Sequence, residues 1–333
     1  MSLRRLALLT LIASAAAAGM ANADIPPEQI RAAANKSLAL LQKSAMRYTE
    51  QRQCFSCHHQ ALPVLAFTAA KTHGFEVDDK VIAHQLKHTA DFLGKNRDNY
   101  LKGKGQGGQV DTAGYALWTL AVGGWKADDT TAAVVEYLLQ RDKAQWQPVS
   151  QRPPSEASAF TTTYLALAGL KHFGPEAKKD AIDARIEKAR KWLLATKPKD
   201  TEDRVFQLRS LKLVGADEKD VKAAAFDLVM QQRGDGGWAQ LEKLSSDAYA
   251  TGSVLTALHQ AAGIPASHPV YQRGMQFLLE TQKEDGSWHV KSRSKPFQLY
   301  FESGFPHTKD QWISCASSSW ATIALVLSAK HLN

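Results

Sequence analysis

Two thiols and an imidazole lie close together near the N-terminal end of the chain. Cys54 and Cys57 are separated by two residues, and His58 follows directly, giving the pattern C-x-x-C-H. Thiols at this spacing can pair with each other, bind a metal ion or bond to an organic cofactor, and the imidazole adds a nitrogen ligand. The chain has only three cysteines, which are too few for a disulfide scaffold, so this pattern indicates a dedicated site.

The C-x-x-C-H pattern resembles the attachment motif of c-type haem. The resemblance implies thioether bonds from Cys54 and Cys57 to the haem vinyl groups, and iron ligation by His58. Electron transfer, or redox or ligand sensing with a redox partner protein, would follow. The candidates for the second iron ligand are His289, His307 and Met46.

Two other uses of the same residues stay open, and both suit a non-catalytic binding scaffold. Cys54 and Cys57 could form a disulfide. Alternatively, Cys54, Cys57 and His58 could bind zinc. Because Cys57 and His58 are adjacent and make an awkward ligand pair, we expect a zinc site to need a further ligand, either Cys315 or His307.

Residues 1–23 have the features of a secretory signal peptide. Arg4 and Arg5 precede a short apolar run, and an A-x-A pattern ends at Ala23. We therefore expect cleavage after Ala23 and a secreted protein, most simply a periplasmic one. No later apolar run reaches the roughly 18 residues of a membrane-spanning helix, so no integral membrane segment is expected in the mature chain.

The charge of the chain argues against one class of partner. Loss of Arg4 and Arg5 leaves 39 basic and 33 acidic residues, a formal charge of +6. The basic residues are spread along the chain and do not alternate with aromatic ones, so we expect no nucleic-acid partner.

The chain repeats a pair of helical patterns six times. The first pattern of each pair has one polar face and carries a bulky apolar pair. These pairs are Leu40-Leu41, Phe92-Leu93, Tyr137-Leu138, Trp192-Leu193, Leu228-Val229 and Phe277-Leu278. The second pattern is rich in small residues and apolar nearly all round, which is typical of a helix buried on every side. These segments are approximately 60–73, 111–122, 158–172, 203–214, 248–261 and 316–331.

Six buried helices inside six amphipathic ones predict an all-α (α/α)6 toroid of six helix-hairpin repeats. We expect residues 24–333 to form this single domain. Its longer loops lead from outer to inner helices and must therefore share one rim, and the C-x-x-C-H loop at 54–58 belongs to them. Such loops on a rigid scaffold commonly carry function.

Two segments in the last third of the chain resemble the QW repeats of squalene–hopene cyclases. The shared positions are Gln232, Gly236 and Trp238 in one copy and Gln282, Gly286 and Trp288 in the other. The resemblance implies the α/α toroid of terpene cyclases and protein prenyltransferases. We expect each Gln to cap an inner helix and each Trp to stack on it.

This resemblance also implies an alternative function, that of an enzyme acting on an apolar or isoprenoid ligand inside the barrel. Asp111 and Asp247 are the candidate acids because each opens an inner helix that faces the loop-rich rim. Aromatic residues of the inner helices could line such a cavity or simply fill the core. The sequence does not decide whether the protein is an enzyme.

Overall fold

The computed structural model describes residues 25–141, 143–295 and 299–329. The predicted signal peptide lies outside these residues and stays a prediction. The described ranges contain 13 helices and no β-strand, which confirms the all-α fold class. None of these helices combines the length and the apolar character that crossing a bilayer requires.

The helices alternate between an outer and an inner layer, with one short extra helix, α4. In chain order they are α1 (Pro27–Gln51), α2 (Leu62–Thr72), α3 (Asp79–Lys95), α4 (Arg97–Leu101), α5 (Gln109–Val122), α6 (Asp129–Leu139), α7 (Ala159–Phe173), α8 (Lys179–Ala195), α9 (Thr201–Leu213), α10 (Glu218–Met230), α11 (Ala248–Ala262), α12 (Pro269–Thr281) and α13 (Gln311–Ser328). The inner helices are α2, α5, α7, α9, α11 and α13.

The inner helices form a closed ring. Each packs against the next in the order α2, α5, α7, α9, α11, α13, and α13 packs against α2. The outer helices lie in the grooves between neighbouring inner helices; α1, for example, contacts both α13 and α2. The (α/α)6 toroid expected from the repeats is therefore confirmed.

Burial separates the two layers as the apolar patterns predict. Twelve of the fifteen residues of inner helix α11 are buried, against three of the thirteen in outer helix α10. A helix in the ring meets neighbours on all sides, whereas an outer helix buries one stripe only. The paired apolar residues of the six outer patterns all lie on outer helices.

Short polar side chains start the inner helices at the rim of long loops. Ser158 accepts hydrogen bonds from the backbone N–H groups of Phe160 and Thr161, and Asp200 accepts one from Asp203. These N-caps satisfy backbone donors that would otherwise be buried without partners. The last inner helix begins at Gln311, earlier than the predicted 316, so Cys315 lies on a helix rather than in a loop.

The Gln and Trp of the QW segments bind outer helices, so the predicted cap on an inner helix is wrong. The Gln282 side chain donates to the carbonyls of Ala33 on α1 and of Gly286, at 2.9 and 3.1 Å. The Trp288 indole N–H donates to the carbonyl of Leu278 near the end of α12, at 2.8 Å. Gln282 therefore joins the last repeat to the first and closes the outer layer.

A third clamp has only part of the QW pattern in the sequence. The Trp146 indole N–H donates to the carbonyl of Leu138 at 3.1 Å, and its backbone N–H donates to the Thr163 hydroxyl. Trp238 and Trp288 make the equivalent contacts in their own repeats. The indole contacts are thus repeated in a segment that keeps the glutamine, Gln140, but has Ala144 in place of the glycine.

We expect Gln282→Ala to reduce the free energy of unfolding by about 1–2 kcal/mol, because it removes the side-chain hydrogen bonds to a carbonyl of α1 and to a carbonyl of the turn before Trp288. Urea unfolding followed by circular dichroism measures the change. Gln276→Ala is the matched control, since Gln276 lies on α12, just before Gln282 in the chain, but is exposed and bonds only locally to Glu280. Equal stability of the two variants would contradict the clamp.

Candidate functional site

A cleft of about 1250 Å³ opens on the rim of long loops, beside the C-x-x-C-H motif. Cys54, Cys57 and His58 all line it. Phe55 and Phe92 form an aromatic pair on one wall, with ring centroids 6.1 Å apart. Its size exceeds that of most small-molecule pockets, so it can accept a ligand larger than a simple metabolite.

Three cationic residues line the cleft as well. Arg152 follows α6 in the long loop before α7, and Arg293 and Lys295 belong to the loop before α13. The Arg293 guanidinium is oriented by a 2.8 Å hydrogen bond from its Nε to the side-chain oxygen of Gln240. A cleft lined by both aromatic and cationic side chains suits an apolar molecule that carries an acidic group.

A π-helical turn, residues Cys57–Ala61, places the motif at the start of α2. Ser56 precedes it; its hydroxyl accepts from the backbone N–H of His59, and its own N–H donates to the side chain of Gln60. All five residues of the turn are buried. π-turns inside α-helices are rare and are frequent at functional sites, because they redirect side chains out of the ordinary register.

Glu156 meets Cys57 and His58 from across the cleft. The Cys57 thiol donates to Glu156 Oε1, and Cys57 Sγ lies 3.2 Å from His58 Nδ1. One potential ligand atom from each of these three buried residues lies within 4.8 Å of the others. The second oxygen, Oε2, forms an ion pair with Arg152.

The loop that carries Glu156 is held in place by its own backbone. Arg152 and Glu156 form an antiparallel bridge with two backbone hydrogen bonds of 3.3 and 3.1 Å. Tyr115 on α5 donates to the carbonyl of Ser155 at 3.2 Å. The loop therefore presents Glu156 to the cleft as a fixed group.

Burial controls the protonation of this cluster. It raises the pKa of the Cys57 thiol well above its usual range, and the nearby Glu156 carboxylate adds to the shift. Burial lowers the pKa of His58 well below its usual range, and His59 contributes in the same direction. At neutral pH Cys57 is thus a thiol beside a neutral imidazole, which makes it a poor nucleophile.

The two cysteines of the motif have different surroundings. Cys54 is exposed, and its sulfur lies 3.3 Å from the Tyr48 hydroxyl. Cys57 is buried against His58 and Glu156. All three cysteines are free thiols, so the structure does not contain the disulfide considered from the sequence.

The candidates for a second iron ligand lie elsewhere. His289 contacts Asp310 at 3.0 Å and stacks on His307, whose own Nε2 lies 2.8 Å from the Ser287 hydroxyl. Met46 packs against the core and the Gln85 side chain. Among the described residues that line the cleft, none is His289, His307 or Met46, and their role as a second iron ligand stays a prediction.

Neither of the two candidates for the extra zinc ligand lines the cleft. Cys315 is buried on α13 and does not line the cleft, and the same is true of His307 in its loop. Glu156 is the third residue that lies beside Cys57 and His58. No sequence pattern indicated Glu156, because it lies 99 residues from Cys57 and reaches it only through the closed ring.

The candidate acids Asp111 and Asp247 both hold local structure. Asp111 accepts from the hydroxyl of Thr162 and from the backbone N–H groups of Val149 and Ser150. Asp247 accepts from the N–H of Ala250 and the Gln240 amide, and burial raises the pKa of Asp247 to about 6. Each oxygen of both carboxyl groups already accepts a hydrogen bond from the protein. These contacts do not support a catalytic role, which stays a prediction for both residues.

Aromatic rings meet across the axis of the ring. Trp118 lies 5.3 Å from Tyr164, 6.5 Å from Phe206 and 6.3 Å from Trp320, so rings from α5, α7, α9 and α13 are in contact. The Arg209 guanidinium lies over three of them. These side chains occupy the axis of the barrel at this depth. We therefore expect a ligand to bind in the rim cleft rather than at the centre of the barrel.

Glu202 is a buried acid that the sequence analysis missed. It accepts from the Thr161 hydroxyl at 2.9 Å and from the Tyr249 hydroxyl at 3.4 Å, while its Oε2 has no hydrogen-bond partner. Burial raises the pKa of Glu202 to about 8, so it is largely protonated at pH 7. The sequence does not single out Glu202, because acidic residues are common in the first turn of any helix.

Solved structures with a similar fold include those of MstE, a type II terpene cyclase from Scytonema. The apo form is 15% identical to this chain with a TM-score of 0.57. The match covers 92% of this chain and 99% of the MstE chain. A complex with geranylgeranyl dihydroxybenzoate, the substrate, is 14% identical with a TM-score of 0.55, covering 91% and 98%. A complex with merosterolic acid A, the product, is 14% identical with a TM-score of 0.57 over the same shares.

This likeness shows a terpene-cyclase-like fold. No protein-family model matches the chain. A comparison with curated proteins finds no similar sequence either.

Proposed function

We propose that the rim cleft binds an apolar molecule carrying an acidic group, with an isoprenoid acid as the class of ligand. The observation that carries this proposal is the pairing of Phe55 and Phe92 with Arg293 and Lys295 around one cleft of about 1250 Å³. Apolar walls supply binding free energy in proportion to the area they cover, and a few charged groups fix the orientation.

The fold supports the same class of ligand. The similar MstE structures contain a geranylgeranyl dihydroxybenzoate and a merosterolic acid, both named as ligands of that enzyme. The filled centre of the present ring and the partnered carboxyl groups of Asp111 and Asp247 argue against placing the ligand on the axis.

The test compares a C20 isoprenoid carboxylic acid with the alcohol of the same chain length, using isothermal titration calorimetry. We expect the acid to bind about 10–100-fold more tightly than the alcohol, because a charge-assisted hydrogen bond contributes roughly 1.5–3 kcal/mol. The double variant Arg293→Ala, Lys295→Ala should lose this preference while keeping affinity for the alcohol.

Lys80→Ala serves as the control, since Lys80 lies on outer helix α3 and does not line the cleft. It should keep the preference of the natural sequence. Failure of both the acid and the alcohol to bind would overturn the proposal, as would an acid preference that survives in the double variant.

Covalent haem is a second candidate for the same cleft, favoured by one observation. Cys54, Cys57 and His58 line it together, and haem is itself an apolar body with two carboxylates that cations such as Arg293 and Lys295 could bind. When bound, haem would supply one-electron redox chemistry. The residues would hold it by two thioethers and one imidazole.

The haem candidate is tested by intact mass and a pyridine haemochrome spectrum of protein produced together with haem-maturation machinery. We expect a mass increase of one haem if this candidate holds, and its loss in Cys54→Ser. A chain of unmodified mass from such cells would exclude it.

A further inference from the structure

We propose that Cys57, His58 and Glu156 bind one divalent transition-metal ion of the zinc type, with an open coordination position facing the cleft. This inference goes beyond the proposed ligand class and stands without it. It replaces the zinc set expected from the sequence, in which Cys54 and either Cys315 or His307 were ligands together with Cys57 and His58.

The geometry of the three ligand atoms carries the proposal. Cys57 Sγ, a ring nitrogen of His58 and a carboxylate oxygen of Glu156 all lie within 4.8 Å of one another, with Sγ and Nδ1 3.2 Å apart. One ion at 2.0–2.3 Å from each atom needs separations of this order. In the described part of the chain, no other group of three His, Cys, Asp or Glu ligand atoms is this close.

The adjacency of Cys57 and His58 does not prevent joint ligation. The π-turn and the use of Nδ1, the nitrogen nearer the backbone, bring the imidazole to the same side as the thiol. The ring is fixed in this orientation by edge contacts with Trp312 and His59, at centroid distances of 5.4 and 5.0 Å. A fixed ring loses little freedom when it binds an ion.

The charges of the cluster suit a divalent ion. A thiolate and a carboxylate together carry two negative charges, and a neutral imidazole adds none, so the three ligands and an ion of charge +2 are together neutral. Arg152 binds the other oxygen of Glu156 and so orients Oε1 toward Cys57. Such outer partners commonly position metal-binding carboxylates.

The set of donors selects the class of metal. One sulfur, one nitrogen and one oxygen favour zinc or a similar borderline ion over calcium or magnesium, which prefer oxygen alone. Three protein ligands at the wall of a cleft leave a position for water or a ligand, as in catalytic rather than structural zinc sites. A carboxylate of a cleft ligand could occupy that position.

The experiment titrates Co²⁺ into metal-free protein under reducing conditions and follows the thiolate-to-cobalt absorption band. We expect one equivalent to bind, and Zn²⁺ to displace it. Cys57→Ser, His58→Gln and Glu156→Gln should each weaken binding at least about 100-fold, because each removes a ligand and second-shell changes alone reach that range.

Cys54→Ser is the matched control, since it removes the other thiol of the same motif, which lies outside the cluster and against Tyr48. It should bind Co²⁺ within about threefold of the natural sequence. Circular dichroism of each variant establishes whether it is folded. His58 and Glu156 lie in different segments of the chain, so a single folded variant is enough for the test.

Three outcomes would overturn the metal site. The first is no stoichiometric binding by the folded natural sequence. The second is equal loss in Cys54→Ser and Cys57→Ser. The third is covalent haem that needs Cys54 but not Glu156, since haem and the ion would compete for Cys57 and His58. None of these measurements requires an isoprenoid ligand, so this test and that of the cleft ligand can fail separately.

Discussion

Gly252→Ala should reduce the free energy of unfolding by about 3 kcal/mol or prevent folding. Gly252 lies within α11, where it faces α13. A Cβ atom there would come within 2.6 Å of the backbone of Trp320 and Ala321. Backbone atoms of a packed helix cannot move aside as a flexible side chain can, so the two helices of the ring would have to separate.

This destabilisation is opposite in sign to the usual effect of replacing glycine by alanine inside a helix. Alanine is favoured over glycine inside a helix by about 1 kcal/mol. Gly234→Ala is the control, because an added Cβ there meets no atom within 4 Å. Urea unfolding of both variants measures the difference, and an unchanged or more stable Gly252→Ala protein would show that α11 and α13 do not touch as described.

The stability of the protein should fall by about 2 kcal/mol between pH 6.5 and pH 8 because of Glu202. Burial raises the pKa of Glu202 from 4.5 to about 8 in the folded chain. The unfolded chain has released the proton throughout this pH range, whereas the folded chain holds it almost fully at pH 6.5 and about half at pH 8, so a higher pH favours unfolding. One proton corresponds to about 1.4 kcal/mol per pH unit.

Glu202→Gln should remove this pH dependence and leave the protein more stable than the natural sequence at pH 8. Glutamine keeps the shape and can still accept from Thr161 and Tyr249. His58 and His59 have lowered pKa values through burial, so their opposite effect on stability lies below pH 6.5.

Urea unfolding at pH 6.5, 7.25 and 8 provides the measurement, with Glu280→Gln as an exposed control on α12. A natural sequence whose stability is constant over this range would contradict a protonated Glu202. So would a Glu202→Gln variant that retains the slope.

The sequence predicts the fold because its repeat is physically explicit. A helix that is apolar on all sides has no stable place except inside a ring of other helices, and six such segments alternate with six one-sided ones. The QW segments indicated the toroid correctly, but not the partners of Gln282, which reaches α1 through the closure of the ring.

Only part of the candidate site could be predicted from the sequence. Cys54, Cys57 and His58 are adjacent in sequence, and their chemistry is evident from their types. Which of the two thiols is buried depends on the π-turn, which no residue type specifies.

The sequence by itself determined that this chain is a toroid of helix pairs with a thiol–imidazole motif on its loop-rich rim. These properties follow from local periodicity and spacing, which act along the chain. Only the tertiary structure placed Glu156 against Cys57 and brought aromatic rings of different inner helices together on the axis. These are contacts between repeats, and their partners are chosen by ring closure rather than by any pattern within one segment.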